Sequence, residues 1–177
     1  MKNISYYMEL CDNVAKISKC LSIKRGSIIL TSDYTVVNSG YNGPPRGVSH
    51  CDSQERLEWL CDRLKNTHTG DIKSYLLENG WGSRCPRQIL KFKSGDGLWV
   101  CPAGHSEANA VYNAAREGIC IKGCWIVHNT SLPCQECCKA IINSGLSKVI
   151  CRTGQDYDVG SRWLLNQAGI EIIQVDP

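Results

Sequence analysis

No stretch of this chain approaches the ~18 consecutive apolar residues that a membrane-spanning helix needs. Residues 1–25 hold no continuous apolar run either, so neither a membrane span nor a secretory leader is expected. A large charge of one sign is also missing. Twenty Lys and Arg against 17 Asp and Glu leave a net charge of +3, too mild for the strongly basic face that nucleic-acid binding requires. The expected setting is therefore cytoplasmic, and the expected partner is a small molecule, with no nucleic acid and no membrane. With 177 residues and 42% hydrophobic content, the chain is long enough for one domain with a well-buried core.

Cysteine, by contrast, is abundant, with twelve in the chain. In a reducing compartment that number points to metal binding or plain core packing and not to disulfides. Two short stretches organise the sequence: Gly104-His105-Ser106-Glu107-Ala108-Asn109-Ala110 and Ser131-Leu132-Pro133-Cys134-Gln135-Glu136-Cys137. They read H-x-E followed by P-C-x-x-C, the pattern of zinc-dependent nucleobase deaminases as a class. Hydrolytic deamination needs a divalent Lewis acid with one open position, and His105, Cys134 and Cys137 supply three zinc ligands while leaving a fourth site free. Lowering the pKa of water from ~15.7 to ~7 is worth roughly 12 kcal/mol, more than a lone general base contributes. Glu107, beside the metal but not on it, is placed to move protons from the water to the ring nitrogen and the leaving amine. Both motifs sit where helices should begin, and helix N-termini favour thiolates. A lone C-x-x-C could be half a structural site or a redox pair, and a lone H-x-E arises by chance. Jointly, and in this order, they indicate a catalytic zinc.

Ile4, Met8, Cys11, Val14, Ile17 and Leu21 recur at helical spacing, predicting a first helix that ends near Ser18-Lys19-Cys20. Ser27 to Leu30 and Tyr34 to Val37 are β-branched runs around Thr31-Ser32-Asp33, predicting an antiparallel hairpin. The stretch from Gly40 to Gly47 is too rich in Gly and Pro for helix or strand. Residues 52–100 read as an elaboration inserted in a single domain spanning 1–177. Within it, Leu57, Leu60, Cys61 and Leu64 have helical spacing, Tyr75 to Leu77 reads as a short helix, and His68 falls in a polar, exposed loop. From His105 onward, two helix-to-strand repeats follow: a helix stopping at Gly118, a strand at Cys124 to Val127, a helix to Gly145 and a strand at Lys148 to Cys151. A last helix around Trp163 and a strand from Ile170 to Val175 complete a three-layer α/β/α sandwich with a mixed five-stranded sheet. Cys120, Cys124, Cys138 and Cys151 are expected in the core, and His128, ending a strand, is expected to cap a turn.

G-Y-N-G-x-P-x-G after a hairpin, then H-x-E-x-N-A and S-L-P-C-x-x-C, resembles the deoxycytidylate (dCMP) deaminase family along essentially the whole chain. That resemblance implies zinc-dependent hydrolysis of dCMP to dUMP and ammonia. It also implies a homo-hexamer, activated by dCTP with Mg2+ and inhibited by dTTP. It places Asn42 and Ser131 in the substrate pocket, and sets Lys24, Gly43, Arg46 and Gly47 near nucleotide phosphates. A Gly-rich turn with exposed N–H groups suits anions, although composition alone is equally that of a surface turn. Tyr157 is either the family's substrate-contacting tyrosine or an ordinary loop aromatic. Arg116, about 16 Å along its helix from His105, is too far for a direct contact and reads as an interface residue.

Cys20, Cys51, Cys85 and Cys101 resemble the ligands that some microbial members use for a second, structural zinc, with His50 able to replace Cys51. The other reading is four buried cysteines acting as small hydrophobes. Rival functions are a deaminase of dCTP, or of both dCMP and dCTP, a tRNA adenosine deaminase, and a non-catalytic zinc-binding module. The missing basic stripe disfavours the tRNA reading, and a purely structural site has no need of Glu107.

Overall fold

The computed structural model describes residues 3–66 and 70–176; His68 lies outside them. Along the chain the elements are α1 (Ile4–Lys16), β1 (Gly26–Leu30), β2 (Val36–Tyr41), α2 (Gln54–Leu64), α3 (Ile72–Glu78), α4 (Pro86–Ile89), a 3-10 turn (Leu98–Val100), α5 (Ser106–Arg116), β3 (Trp125–His128), α6 (Gln135–Asn143), β4 (Lys148–Arg152), α7 (Gly160–Gln167) and β5 (Glu171–Val175). They divide into two units. One takes in Met1–Ser18, Lys24–Asn42 and His105–Pro177; the other takes in Lys19–Ile23 and Gly43–Gly104.

In the first unit the strands form one mixed sheet in the order β2-β1-β3-β4-β5. β1 runs antiparallel to β2 and β3, while β3, β4 and β5 are mutually parallel. Alternating residues of the central strands feed two cores, as the two-residue period of a strand demands. Ile28, Leu30, Val127 and Ile150 pack with Met8 and Cys11 of α1. Ile29, Ile126, Val149 and Cys151 pack on the other face with Ala110, Ala114, Cys138, Ile141 and Leu165 from α5, α6 and α7. Each large side chain so buried contributes roughly 1.5–3 kcal/mol. The expected three-layer sandwich with a five-stranded mixed sheet is the fold observed.

Two local expectations need correction. The second hairpin strand begins later than the Tyr34 to Val37 run and continues through Gly40 and Tyr41, which composition had assigned to a turn. Gly40 belongs in the strand because α5 crosses it so closely that a Cβ there would lie 2.3 Å from the Ala110 amide nitrogen and 2.4 Å from the Ser106 carbonyl oxygen. Asn109 and Asn113 of α5 reinforce the crossing by donating to the Tyr41 and Ser39 carbonyls at 2.8 and 3.0 Å. Cys120 is exposed and not core, because it falls in the loop after α5 and not on an apolar face. His128, the last residue of β3, is fully buried, and the Ser131 backbone of the turn that follows acts on its ring.

The second unit contains the 52–100 elaboration and has its own apolar cluster of Leu57, Leu60, Ile72, Leu76, Ile89 and Val100. Ser53 accepts from the Arg56 amide to start α2, and Asp71 accepts from the Lys73 amide to start α3. Among the described residues no helix is long and apolar enough to cross a membrane.

Candidate metal centre and catalytic carboxylate

Two helix N-termini converge in the first unit. His105 is the residue before α5 and Cys134 the residue before α6, both in extended conformation, and neither side chain caps its own helix. Instead the side chains turn toward each other. The His105 Nδ1 lies 3.3 Å from the Cys134 Sγ and 3.5 Å from the Cys137 Sγ, and the three ligand atoms all fall within 4.8 Å of one another. Zn–N and Zn–S bonds of ~2.0 and ~2.3 Å at a tetrahedral angle put nitrogen and sulfur about 3.5 Å apart. The observed spacing fits a zinc ion. Burial grades across the set, with Cys137 buried, Cys134 half-buried and His105 exposed, so the side left for a fourth ligand faces solvent.

The ligands' acidities fit as well. The Cys134 thiol is brought down to about 5, first by a hydrogen bond from the Cys137 thiol and then, against the effect of burial, by the His105 ring. Cys137 is pushed up, by that same hydrogen bond to Cys134 and by burial. His105 is raised chiefly by its bond to Cys134. One thiolate is thus already favoured, the form in which cysteine binds a metal.

Glu107 lies in the first turn of α5, 6% exposed. Burial alone would raise its carboxyl. His128, its own backbone amide, the Ser106 hydroxyl and His105 together outweigh that and hold it below the ordinary range. His128 is itself pushed down by burial more than Glu107 raises it, so at neutral pH the ring is uncharged. The 3.8 Å approach of its Nδ1 to the Glu107 Oε1 is therefore a polar contact and not an ion pair.

Other candidates sit as follows. Asn42 is buried at the end of β2, its Oδ1 accepting from the Arg25 amide at 2.8 Å and its backbone carbonyl accepting from the Ser18 hydroxyl at 2.6 Å. Ser131 is half-buried in the bend before Pro133, and Tyr157 is 57% exposed on the loop between β4 and α7. Arg116 ends α5, exposed and ion-paired to Glu117 at 2.6 Å. Lys24, Arg46 and Gly47 are exposed and Gly43 is buried.

Sequence reasoning missed two residues here. Asp158 accepts from the Gln135 amide at 2.9 Å through Oδ2, and from the Ser161 amide and hydroxyl at 3.0 and 2.7 Å through Oδ1. It thereby ties the first turn of the cysteine helix to the start of α7, and the Asp-x-x-Ser spacing ahead of a helix was the available signal. Arg25 is half-buried, within electrostatic reach of Glu107, His105 and His128; nothing in the sequence marks it out.

In the second unit, Cys20, Cys51, Cys85, Cys101 and His50 line a single cavity of about 20 Å³. The Cys51 thiol is pushed up to about 12 by burial, then by Cys85, Asp52, Cys101 and Cys20. Cys101 is raised by burial and by Cys85 and Cys20.

Comparison with known proteins agrees with this geometry. Residues 1–153 match the family described as the cytidine and deoxycytidylate deaminase zinc-binding region. The chain belongs to that deaminase family. The deoxycytidylate deaminase of Enterobacteria phage T2 is 32% identical over 174 residues, covering 97% of this chain and 91% of the phage protein. The human deoxycytidylate deaminase is 28% identical over 169 residues, covering 93% of this chain and 75% of its own. The crystal structure of the dCMP deaminase of cyanophage S-TIM5 with dCMP and dUMP superposes with a TM-score of 0.63 over 97% of this chain and 95% of that one, at 21% identity, which establishes the shared deaminase fold.

Proposed function

We propose that this deaminase hydrolyses the 4-amino group of dCMP, giving dUMP and ammonia. The observation that carries the reading is a buried carboxylate, Glu107, held two residues from His105 in a cluster whose spacing suits zinc. His105, Cys134 and Cys137 would hold the ion, which when bound supplies a Lewis acid that makes water a nucleophile near neutral pH. Glu107 takes the proton that water loses and passes it to N3 of the cytosine as the C4–O bond forms, then takes a second proton from the new C4 hydroxyl and delivers it to the amine as the C4–N bond breaks and the C4 carbonyl forms. Asn42, Ser131 and Tyr157 would contact the substrate. Arg25, within electrostatic reach of Glu107 and His105, adds a cation suited to a phosphate-bearing ligand.

The remaining expectations belong to the same reading. Cys20, Cys51, Cys85 and Cys101 hold a second, structural zinc, which would relieve the mutual repulsion of their thiolates. dCTP with Mg2+ activates and dTTP inhibits through the Gly43 to Gly47 loop with Lys24 and Arg46, in a cytoplasmic homo-hexamer. Ammonia release from cytidine, dCMP and dCTP in parallel, each with and without the other nucleotides, tests the whole. Turnover of dCMP well above the other two, with sigmoidal kinetics made hyperbolic by dCTP, is the expected result. Consumption of dCTP at a rate like that of dCMP would replace the effector reading with a dual-substrate enzyme.

A further inference from the structure

His128 is the one fully buried imidazole among the described residues, and neither of its ring nitrogens has a hydrogen bond of normal geometry. The Ser131 backbone also acts on the ring, and its Nδ1 lies 3.8 Å from the Glu107 Oε1. An unsatisfied ring nitrogen in an interior is costly, so this arrangement needs a purpose. The surroundings supply one. The second carboxylate oxygen of Glu107 accepts from the Ser106 hydroxyl at 2.8 Å, and that hydroxyl in turn accepts from Ser27 at 2.9 Å. Ser27 and His128 are direct cross-strand partners in the β1–β3 ladder, so their side chains emerge side by side on one face of the sheet. They form a polar floor beneath the first turn of α5, in a layer otherwise built of aliphatic residues.

We propose that His128 is a positioning residue for Glu107: its neutral ring donates Nδ1–H to Oε1, and with the Ser27–Ser106 relay on Oε2 it restricts the carboxylate to the rotamer that faces the metal cluster. A shift of about 1 Å brings the 3.8 Å approach to bonding distance, within reach of a carboxylate rotating about its last torsion. The ring then never touches substrate. It limits where Glu107 can swing while a proton moves on and off a lone pair that these two donors leave unused.

The inference rests on the reading of Glu107 as the proton carrier, and two measurements separate them. In steady-state kinetics on dCMP, His128→Leu removes the donor and should lower kcat about 10-fold or more, with KM within about twofold and zinc content unchanged. His128→Asn or His128→Gln, which keep an N–H, should recover most of that loss. Wild-type kcat in His128→Leu, or a loss that neither amide recovers and that follows a fall in Tm, would overturn the proposal. In the wild-type protein, long-range 1H–15N correlation of the histidine rings should find His128 neutral with its proton on Nδ1, slow to exchange, and moved by Glu107→Gln. A proton on Nε2 alone would overturn the contact whatever the enzyme's substrate proves to be.

Discussion

Gly40→Ala tests how the catalytic helix is held. The added Cβ would stand 2.3 Å from the Ala110 nitrogen, 2.4 Å from the Ser106 oxygen and 2.8 Å from the Ala110 Cα, where ordinary contact begins at 3.4 Å. All three atoms are backbone, so no side chain can rotate away and α5 must retreat from β2 by about 1 Å. The retreat strains the Asn109 and Asn113 bonds to Tyr41 and Ser39 and moves Ser106 and Glu107 with the helix. Overpacking of this kind costs about 2–3 kcal/mol, which for a chain of this length lowers Tm by roughly 5–10 °C. A 1 Å displacement of the proton carrier costs about 100-fold in turnover. Thermal melts and kcat are measured beside Gly123→Ala, where nothing lies within 4 Å of the new Cβ and only the positive φ of 80° is violated. That control should lose about 1 kcal/mol and keep its turnover. A Gly40→Ala protein that melts and turns over like wild type would refute the argument that the β2–α5 contact positions Glu107.

Asp158→Ala removes the acceptor for the Gln135 and Ser161 amides at once; at about 1 kcal/mol for each lost helix cap, Tm should fall by roughly 4–8 °C, and zinc should be lost at a lower chelator concentration than in wild type. An unchanged melt and chelator curve would show that the loop does not hold the cysteine helix. Cys85→Ser should lower the zinc content of carefully loaded protein from about two per chain to about one, and reduce stability more than chemistry. An unchanged zinc count and Tm would make these cysteines ordinary packing.

The His105, Cys134 and Cys137 cluster, with Glu107 beside it, was legible because the chemistry it suits forces residue type and spacing together: a His, two Cys three apart, and a carboxylate two residues from the His. The sheet was legible because buried central strands such as Ile28-Ile29-Leu30 and Val149-Ile150-Cys151 leave apolar runs. What escaped depends on contacts between distant segments. Gly40 and Tyr41 carry turn-like composition, yet the requirement for a missing Cβ comes from Ser106 and Ala110, some seventy residues later. His128 follows an apolar strand just as a turn-capping residue would, and only its pairing with Ser27 across the ladder puts it under Glu107. Cys120 follows an apolar periodicity that ends with the helix, four residues before it. Arg25 carries no local signature, and its relation to Glu107 exists only in three dimensions.

The central claim is that a buried carboxylate moves protons beside a zinc held by His105, Cys134 and Cys137. Glu107→Gln tests it most directly, because the amide keeps the shape and the ligands while removing the exchangeable proton. Zinc content, Tm and dCMP turnover are measured on one preparation. Wild-type zinc and near-wild-type stability with turnover reduced by about 100-fold or more is the predicted result. Turnover close to wild type in that zinc-loaded variant would contradict the account.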